Sequence, residues 1–222
     1  MKKILIVDDE KNIRTTIKMA LEKPDCLIET AVNGEEAVRL HKASRFDIIL
    51  LDLKMPGMSG IDTLKEIMKN SEIKPCVIII TAHGTVDSAV EAMKAGAMDF
   101  IQKPFTPKEI RQIVEMNIEF ERDESVPGKE SYGDLIEKII GLIKGKKTST
   151  ALGLIKRAIA LDPNQPEGYN LMGVYYEKTG ERNNALKYYR AATAIDPAFK
   201  PAIENIDRAT SMHPDKPVSL GG

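Results

Sequence analysis

Five short runs rich in Ile, Val and Leu punctuate the first half of the chain: KILIV (3–7), CLIETA (26–31), FDIILLDL (46–53), CVIIIT (76–81) and MDFIQ (98–102). Amphipathic stretches of helical length lie between and after them, at 11–22, 34–43, 60–70, 85–95 and 106–121. Strands alternating with helices predict an α/β domain built on a parallel sheet. Runs such as ILIV and VIII are apolar on both faces, as a sheet covered by helices on both sides requires. Right-handed crossovers then favour a doubly wound, five-stranded parallel sheet. In such a sheet the functional site lies beyond the carboxyl ends of the strands, where the strand order reverses.

The residues at those ends are polar. Asp8, Asp9 and Glu10 follow the first run, Asp52 ends the core of the third, Thr81 closes the fourth and Lys103 follows the fifth. Consecutive carboxylates repel one another and raise each other's pKa. They are either solvated, with Asp9 capping a helix, or they surround a cation. A hard oxygen-ligated ion such as Mg²⁺ suits three carboxylates. Zn²⁺ does not, because neither cysteine has ligand spacing and His83 is the nearest histidine by motif. Lys103 can pair with Asp52 or with an anion carried on it, and Thr81 offers a hydroxyl. A sheltered carboxylate, a divalent-ion site, an ammonium and a hydroxyl are the parts needed for phosphoryl transfer to an aspartate. Glu10 is expected to start the first helix without a chemical role, and His41 to sit on a helix surface. Gly57 and Gly60 are expected to shape a loop, since the glycine spacing of a phosphate cradle is missing.

The second half carries an internal period. Asp162-Pro163 recurs as Asp196-Pro197, Ala151 as Ala185 and Ala158 as Ala192, each 34 residues on. TALGLIKRAIALDP and NALKYYRAATAIDP align without a gap. Alanines at fixed places let two helices cross closely, and the proline stops the second helix of each unit. About three repeats are usually needed for stability. Two units and a last helix are therefore expected to lean on the last helix of the first half or on a second copy of the chain, as a homodimer.

Composition narrows the function. Residues 1–124 hold 18 Lys and Arg against 22 Asp and Glu, 18 − 22 = −4, and residues 125–222 hold 14 against 11, 14 − 11 = +3. Neither half has the basic footprint of a nucleic-acid-binding module, so no nucleic acid is expected. Cys26 and Cys76 form no disulfide framework and fit a reducing cytosol. No apolar run approaches transmembrane length and no signal peptide opens the chain, so a cytoplasmic protein without a membrane partner is expected.

The motifs IVDDE (6–10), ILLDLKMPGMSG (49–60), ITAHG (80–84) and FIQKPF (100–105) together resemble the receiver domain of two-component response regulators. The stretch TAHGTVDSAVEAMKAGAMDFIQKPF (81–105) is similar to receivers of the nitrogen-regulatory activator type. The resemblance implies a flavodoxin-like fold with Asp52 as phospho-acceptor. It implies Mg²⁺ held by Asp9, Asp52 and the backbone carbonyl of Lys54, with Asp8 acting partly through water. Thr81 and Lys103 would contact the phosphoryl oxygens, Phe100 stands at the switch position where many relatives have Tyr, and the Lys103–Pro104 bond is expected to be cis. His83, near the pocket mouth, is read as a solvated loop residue or, with Lys54, as a group tuning dephosphorylation. The implied partner is a sensor histidine kinase or phosphotransfer protein.

The unit from Pro166 to Phe199 looks like a tetratricopeptide repeat, with Gly173, Tyr176, Ala185, Tyr189, Ala192 and Pro197 at its signature places and Tyr169 where the family favours Trp. The unit from Tyr132 to Gln165 keeps Ala151, Ala158 and Pro163 but has Ile139 in place of the glycine. The expected organisation is a receiver at 1–121, a linker at 122–131 and repeats at 132–212. These divide into units 132–165 and 166–199 and a capping helix at 200–212, with a disordered tail at 213–222. By resemblance, Ile136, Ile140 and Ile143 in one unit and Asn170, Val174 and Glu177 in the next line a groove for a protein partner; the isoleucines read equally well as core. No ATPase phosphate loop or helix-turn-helix signature stands out. The function expected is a response regulator that catalyses only its own phosphorylation and dephosphorylation and acts through protein–protein contacts. A transcription regulator with an unrecognised nucleic-acid output and a phosphorelay intermediate are the alternatives.

Overall fold

Each apolar run forms a strand: β1 (Lys2–Val7), β2 (Cys26–Ala31), β3 (Ile48–Asp52), β4 (Cys76–Ala82) and β5 (Asp99–Lys103). The structure is a computed structural model that describes residues 2–71, 73–82, 86–122, 130–211 and 217–221. Helices follow the strands in turn: α1 (Lys11–Leu21), α2 (Gly34–Ala43), α3 (Gly60–Lys69), α4 (Val86–Lys94) and α5 (Pro107–Arg122). All pairings are parallel, in the order β2-β1-β3-β4-β5. The order reverses between β1 and β3, so the chain ends of those two strands open onto one crevice.

The pleat divides the central strands between two cores. Ile4, Ile6, Ile48, Leu50, Ile78 and Ile80 join Ile17, Leu21, Ile110 and Val114 of α1 and α5 in one buried cluster. The alternate residues Leu5, Val7, Ile49, Leu51, Val77 and Ile79 are also buried, which leaves them the face covered by α2, α3 and α4. Where a carboxylate follows such a strand, the apolar base beneath it is dry on both sides.

The chain divides into two compact units, Met1–Arg122 and Asp123–Gly222. The second is helical: α6 (Tyr132–Lys144), α7 (Thr148–Leu161), α8 (Pro166–Lys178), α9 (Arg182–Ile195) and α10 (Lys200–Thr210). Ser131 and Asp134 form a reciprocal capping box that starts α6. Prolines at the first turn start α8 and α10. Consecutive helices pack in series, and α8 touches α6, α7 and α9. Ala151, Ala158, Ala185 and Ala192 are fully buried, as a close crossing demands. Among the described residues, no helix is long and apolar enough to cross a membrane. Most of the linker, residues 123–129, lies outside the described residues.

One expectation fails here. The tail from 213 was expected to be disordered, but residues 217–221 are seated on the helical unit. The Ser219 amide donates to Asn205 Oδ1 at 2.8 Å, and the Ser219 carbonyl accepts from Asn205 Nδ2 at 2.7 Å. Composition conceals this because the bonds run through main chain.

Gly173 sets the α8–α9 spacing. A Cβ there would stand 2.4 Å from the Tyr189 ring and 3.1 Å from the Ala185 carbonyl oxygen. The Tyr189 hydroxyl donates to Glu177 Oε2 at 2.7 Å, so the ring is not free to swing aside. Gly173→Ala is therefore expected to destabilise the helical unit by about 1–3 kcal/mol. All six tyrosines fall between 132 and 189 and the chain has no Trp. Urea unfolding followed by tyrosine fluorescence thus reports that unit alone, and its midpoint should fall in the variant.

Candidate functional site

The strand ends bring three carboxylates together. One oxygen from each of Asp8, Asp9 and Asp52 lies within 4.8 Å of the others. Asp8 and Asp52 are buried and Asp9 is exposed. The β1–β3 register pairs Val7 with Leu51, so the residues that follow, Asp8 and Asp52, emerge side by side. Thr81 and Lys103, both buried, close the neighbouring strands, with Thr81 opposite Gln102 and Ala82 opposite Lys103.

Lys103 holds the cluster, but its main partner is not the one expected. Its Nζ donates to Asp8 Oδ2 at 2.7 Å, while Asp52 Oδ2 stands at 3.5 Å and Glu10 Oε1 at 3.4 Å. Glu10, expected to serve only as a helix start, thus also faces the ammonium. Burial acts against the Lys103 charge, but the hydrogen bond to Asp8 and the charges of Asp52, Asp8 and Glu10 outweigh it and raise its pKa. Burial, helped by the charge of Asp8 and opposed by Lys103, pushes the Asp52 carboxyl up to about 6. Asp8 Oδ1 accepts from the Glu10 amide at 2.8 Å. Arg14, not singled out by its sequence context, donates to the Asp8 and Asp9 carbonyl oxygens at 2.7 and 2.9 Å. Its i, i+5 and i, i+6 spacing is a helix-start contact that no motif announces.

Asp52 Oδ1 is buried without a hydrogen-bond partner among the described residues. A buried, unpartnered carboxylate oxygen is costly and calls for an explanation. One ammonium facing Asp8, Asp52 and Glu10, with Asp9 beside them, leaves the pocket negative. Hard oxygen donors, excess negative charge and an unsatisfied oxygen fit a divalent cation of the Mg²⁺ kind, held by Asp8, Asp9 and Asp52. Lys54 follows two residues after Asp52 with its side chain exposed, and its backbone hydrogen bond lowers the Asp52 pKa. The loop between them folds back tightly: the Gly60 amide donates to the Leu53 carbonyl at 3.1 Å, and a Cβ on Gly60 would lie 2.2 Å from the Asp52 carbonyl oxygen. Gly57 takes φ +80° in the same loop. The Lys103–Pro104 peptide bond is cis. Phe100 is buried on β5, opposite Ile79 of β4. His83 lies outside the described residues.

His41 departs from expectation. It is buried, its Nδ1 accepts from the Phe46 amide at 3.3 Å, and its Nε2 lies 3.0 Å from Ser71 Oγ. Burial lowers its pKa, so it serves as a neutral structural link behind β3.

The candidate groove residues are placed as follows. Ile136, Ile140 and Ile143 are buried and belong to the helical core, the other of their two readings. Asn170 and Val174 are fully buried. Glu177 accepts both guanidinium branches of Arg208 and the Tyr189 hydroxyl.

Comparison with known proteins now identifies the first unit. The response regulator receiver domain family matches residues 4–115, and the tetratricopeptide repeat family matches residues 166–199. The chain belongs to the response regulator receiver family and carries a tetratricopeptide repeat. It is 42% identical over 108 residues to the transcriptional regulatory protein ResD of Bacillus subtilis, covering 49% of this chain and 44% of that one. It is 39% identical over 119 residues to the regulatory protein AtoC of Escherichia coli, covering 54% and 26%. A crystal structure of a response regulator receiver domain protein from Clostridium thermocellum superposes with a TM-score of 0.50 at 35% identity, covering 55% of this chain and 98% of that one. The chain spans less than half the length of these two curated relatives, and the shared part is the receiver.

Two outcomes follow from the charge arrangement. Without divalent ions, Asp52→Asn removes a buried charge with little change of shape and should stabilise the receiver by about 1 kcal/mol. Lys103→Ala leaves Asp8 and Asp52 uncompensated and should destabilise it by about 3 kcal/mol. Hydrogen exchange of the β3 amides checks both: slower in the first, faster in the second, with Mg²⁺ restoring part of the loss in the second.

The Glu177 ion pair predicts a pH dependence. Burial favours the neutral acid, but Arg208 and Tyr189 outweigh it and hold the Glu177 pKa below its ordinary value. A depressed folded pKa stabilises above the unfolded value and loses that contribution as pH falls through the folded one. The helical unit should therefore weaken below about pH 4. Glu177→Gln should cost about 2 kcal/mol at neutral pH and flatten the acid limb, read by tyrosine fluorescence.

Proposed function

We propose that the chain is a response regulator whose receiver accepts a phosphoryl group on Asp52 and whose helical repeats convey that state to a protein partner. The observation that carries this reading is the buried Asp52 Oδ1, unpartnered among the described residues and set between two further carboxylates and the Lys103 ammonium. In the proposed step Oδ1 attacks the phosphorus of a phosphohistidine on a sensor kinase or phosphotransfer protein. The O–P bond forms as the P–N bond breaks, and the electron pair stays with the imidazole. Lys103, 3.5 Å from Asp52, turns from Asp8 towards the new phosphoryl oxygens, and Thr81 donates its hydroxyl to another. A bound Mg²⁺ supplies positive charge against those oxygens. The receiver is not an enzyme beyond this chemistry on itself and its reversal.

The aspartyl phosphate adds charge and acceptor oxygens at the end of β3. Movement of Thr81 frees space beside Phe100, and β5 connects onward: Asn117 of α5 donates to Asp99 Oδ2 at 3.3 Å. A shift of the α4–β5–α5 face by a few kcal/mol is enough to change a partner equilibrium. The transcriptional role in the name of ResD is not carried over, because the match covers the receiver only and the remaining chain here is helical repeat. A cytosolic location follows from the proposed donor.

Acetyl phosphate with Mg²⁺ should add one phosphoryl group to the intact mass, and Asp52→Asn or chelation should abolish the addition. Phosphodonor should also alter hydrogen exchange in α6–α10 of the unaltered chain and leave that of Asp52→Asn unchanged. Labelling or a repeat response that persists without Asp52 defeats the reading.

A further inference from the structure

The segment 217–221 is held by two fully buried asparagines on different helices. Asn170 of α8 donates from Nδ2 to the Ser219 and Leu220 carbonyl oxygens at 3.0 and 3.3 Å. Asn205 of α10 donates to the Ser219 carbonyl at 2.7 Å and accepts from the Ser219 amide at 2.8 Å. The two are also joined, with Asn205 Nδ2 2.9 Å from Asn170 Oδ1. Among the described residues, each of these polar contacts to the segment reads main chain. With the segment in place neither asparagine is exposed, and their amides have it and each other as partners. Arg208, whose Nη2 lies 3.4 Å from Asn205 Oδ1, is paired with Glu177. Side-chain selection falls at Gly221, which takes φ +72° and where a Cβ would meet Phe199 and Pro201 at 3.0 and 3.1 Å.

We propose that residues 217–221 are an internal ligand of a peptide site formed by Asn170, Asn205, Phe199 and Pro201, and that a partner binds there by displacing them. The partner segment presents its main chain to Asn170 and Asn205, and it carries glycine at the position of Gly221. This deepens the reading of the repeats as a protein-binding output and rests on it, but it requires nothing of the Asp52 switch. Tethering gives the internal segment an effective concentration on the order of millimolar, so a partner must outcompete it or arrive when it is loosened.

The probe is a capped, fluorescein-labelled peptide spanning residues 215–222, added to the chain, to the chain ended at residue 216, and to Gly221→Val of the full chain. Anisotropy should show binding to the shortened chain and to Gly221→Val, on the order of a hundred-fold tighter than to the unaltered chain. A peptide N-methylated at Ser219 should not bind, a Leu220→Ala peptide should, and a Gly221→Val peptide should not. Equal binding by all three chains overturns the proposal, as does absence of binding to a Gly221→Val chain whose tyrosine fluorescence is native. A concentration-dependent mass that disappears on shortening the chain would place the segment in a second copy and overturn the internal assignment. Asp52→Asn should leave every one of these results unchanged, so failure here is distinct from failure of the phosphoryl-transfer reading.

Discussion

Two buried carboxylates at the ends of adjacent strands, with one ammonium between them, set the terms for the receiver. Taking Asp8 and Asp52 out of water costs several kcal/mol per ion unless opposite charge is close. That charge comes from Lys103, which the sheet order places three strands away from β1. Its side chain therefore ties the far side of the sheet to the β1–β3 crevice, and the tie is made with Asp8 in preference to Asp52. Among the described residues, the arrangement leaves Asp52 Oδ1 without a hydrogen-bond partner. A residue that is sheltered, charged and incompletely paired is where an incoming electrophile or cation finds the least competition.

The helical unit solves its own charge problem differently. Glu177 and Arg208 come from α8 and α10 and satisfy each other, with the Tyr189 hydroxyl completing the carboxylate. The Arg182 guanidinium donates to the Ala209 carbonyl near the end of α10. These bonds fasten the last helix to the pair before it. Beside them, Asn170 and Asn205 bond the main chain of Ser219 and Leu220, so an ion pair and an amide pair lie side by side.

Much of this could be read from residues alone, and the rest could not, for identifiable reasons. Strand ends are marked locally, since an apolar run stopping at Asp8 or Asp52 gives both element and position. The period of 34 is equally local, and its alanines sit where the helices cross. What escaped depends on partners distant in sequence. Arg208 looks like a solvated helix cation until Glu177, 31 residues earlier, is placed beside it. His41 looks like a surface residue because its neighbours Arg39 and Lys42 are charged, while its ring is turned to Phe46 and Ser71. The isoleucines of α6 fitted a groove and a core equally well, and only packing could choose. The seat of residues 217–221 left no mark, because a main-chain clamp imposes almost nothing on the side chains it holds.

The helix α8 has little solvent side: Pro166, Gly168 to Val174 and Tyr176 are all buried. By contrast α10 turns Ala202, Asn205, Arg208 and Ala209 inward and leaves Glu204 and Asp207 exposed. The open flank of α10 thus sets two carboxylates beside Ile203, so any surface laid against it must bring a cation as well as an apolar patch.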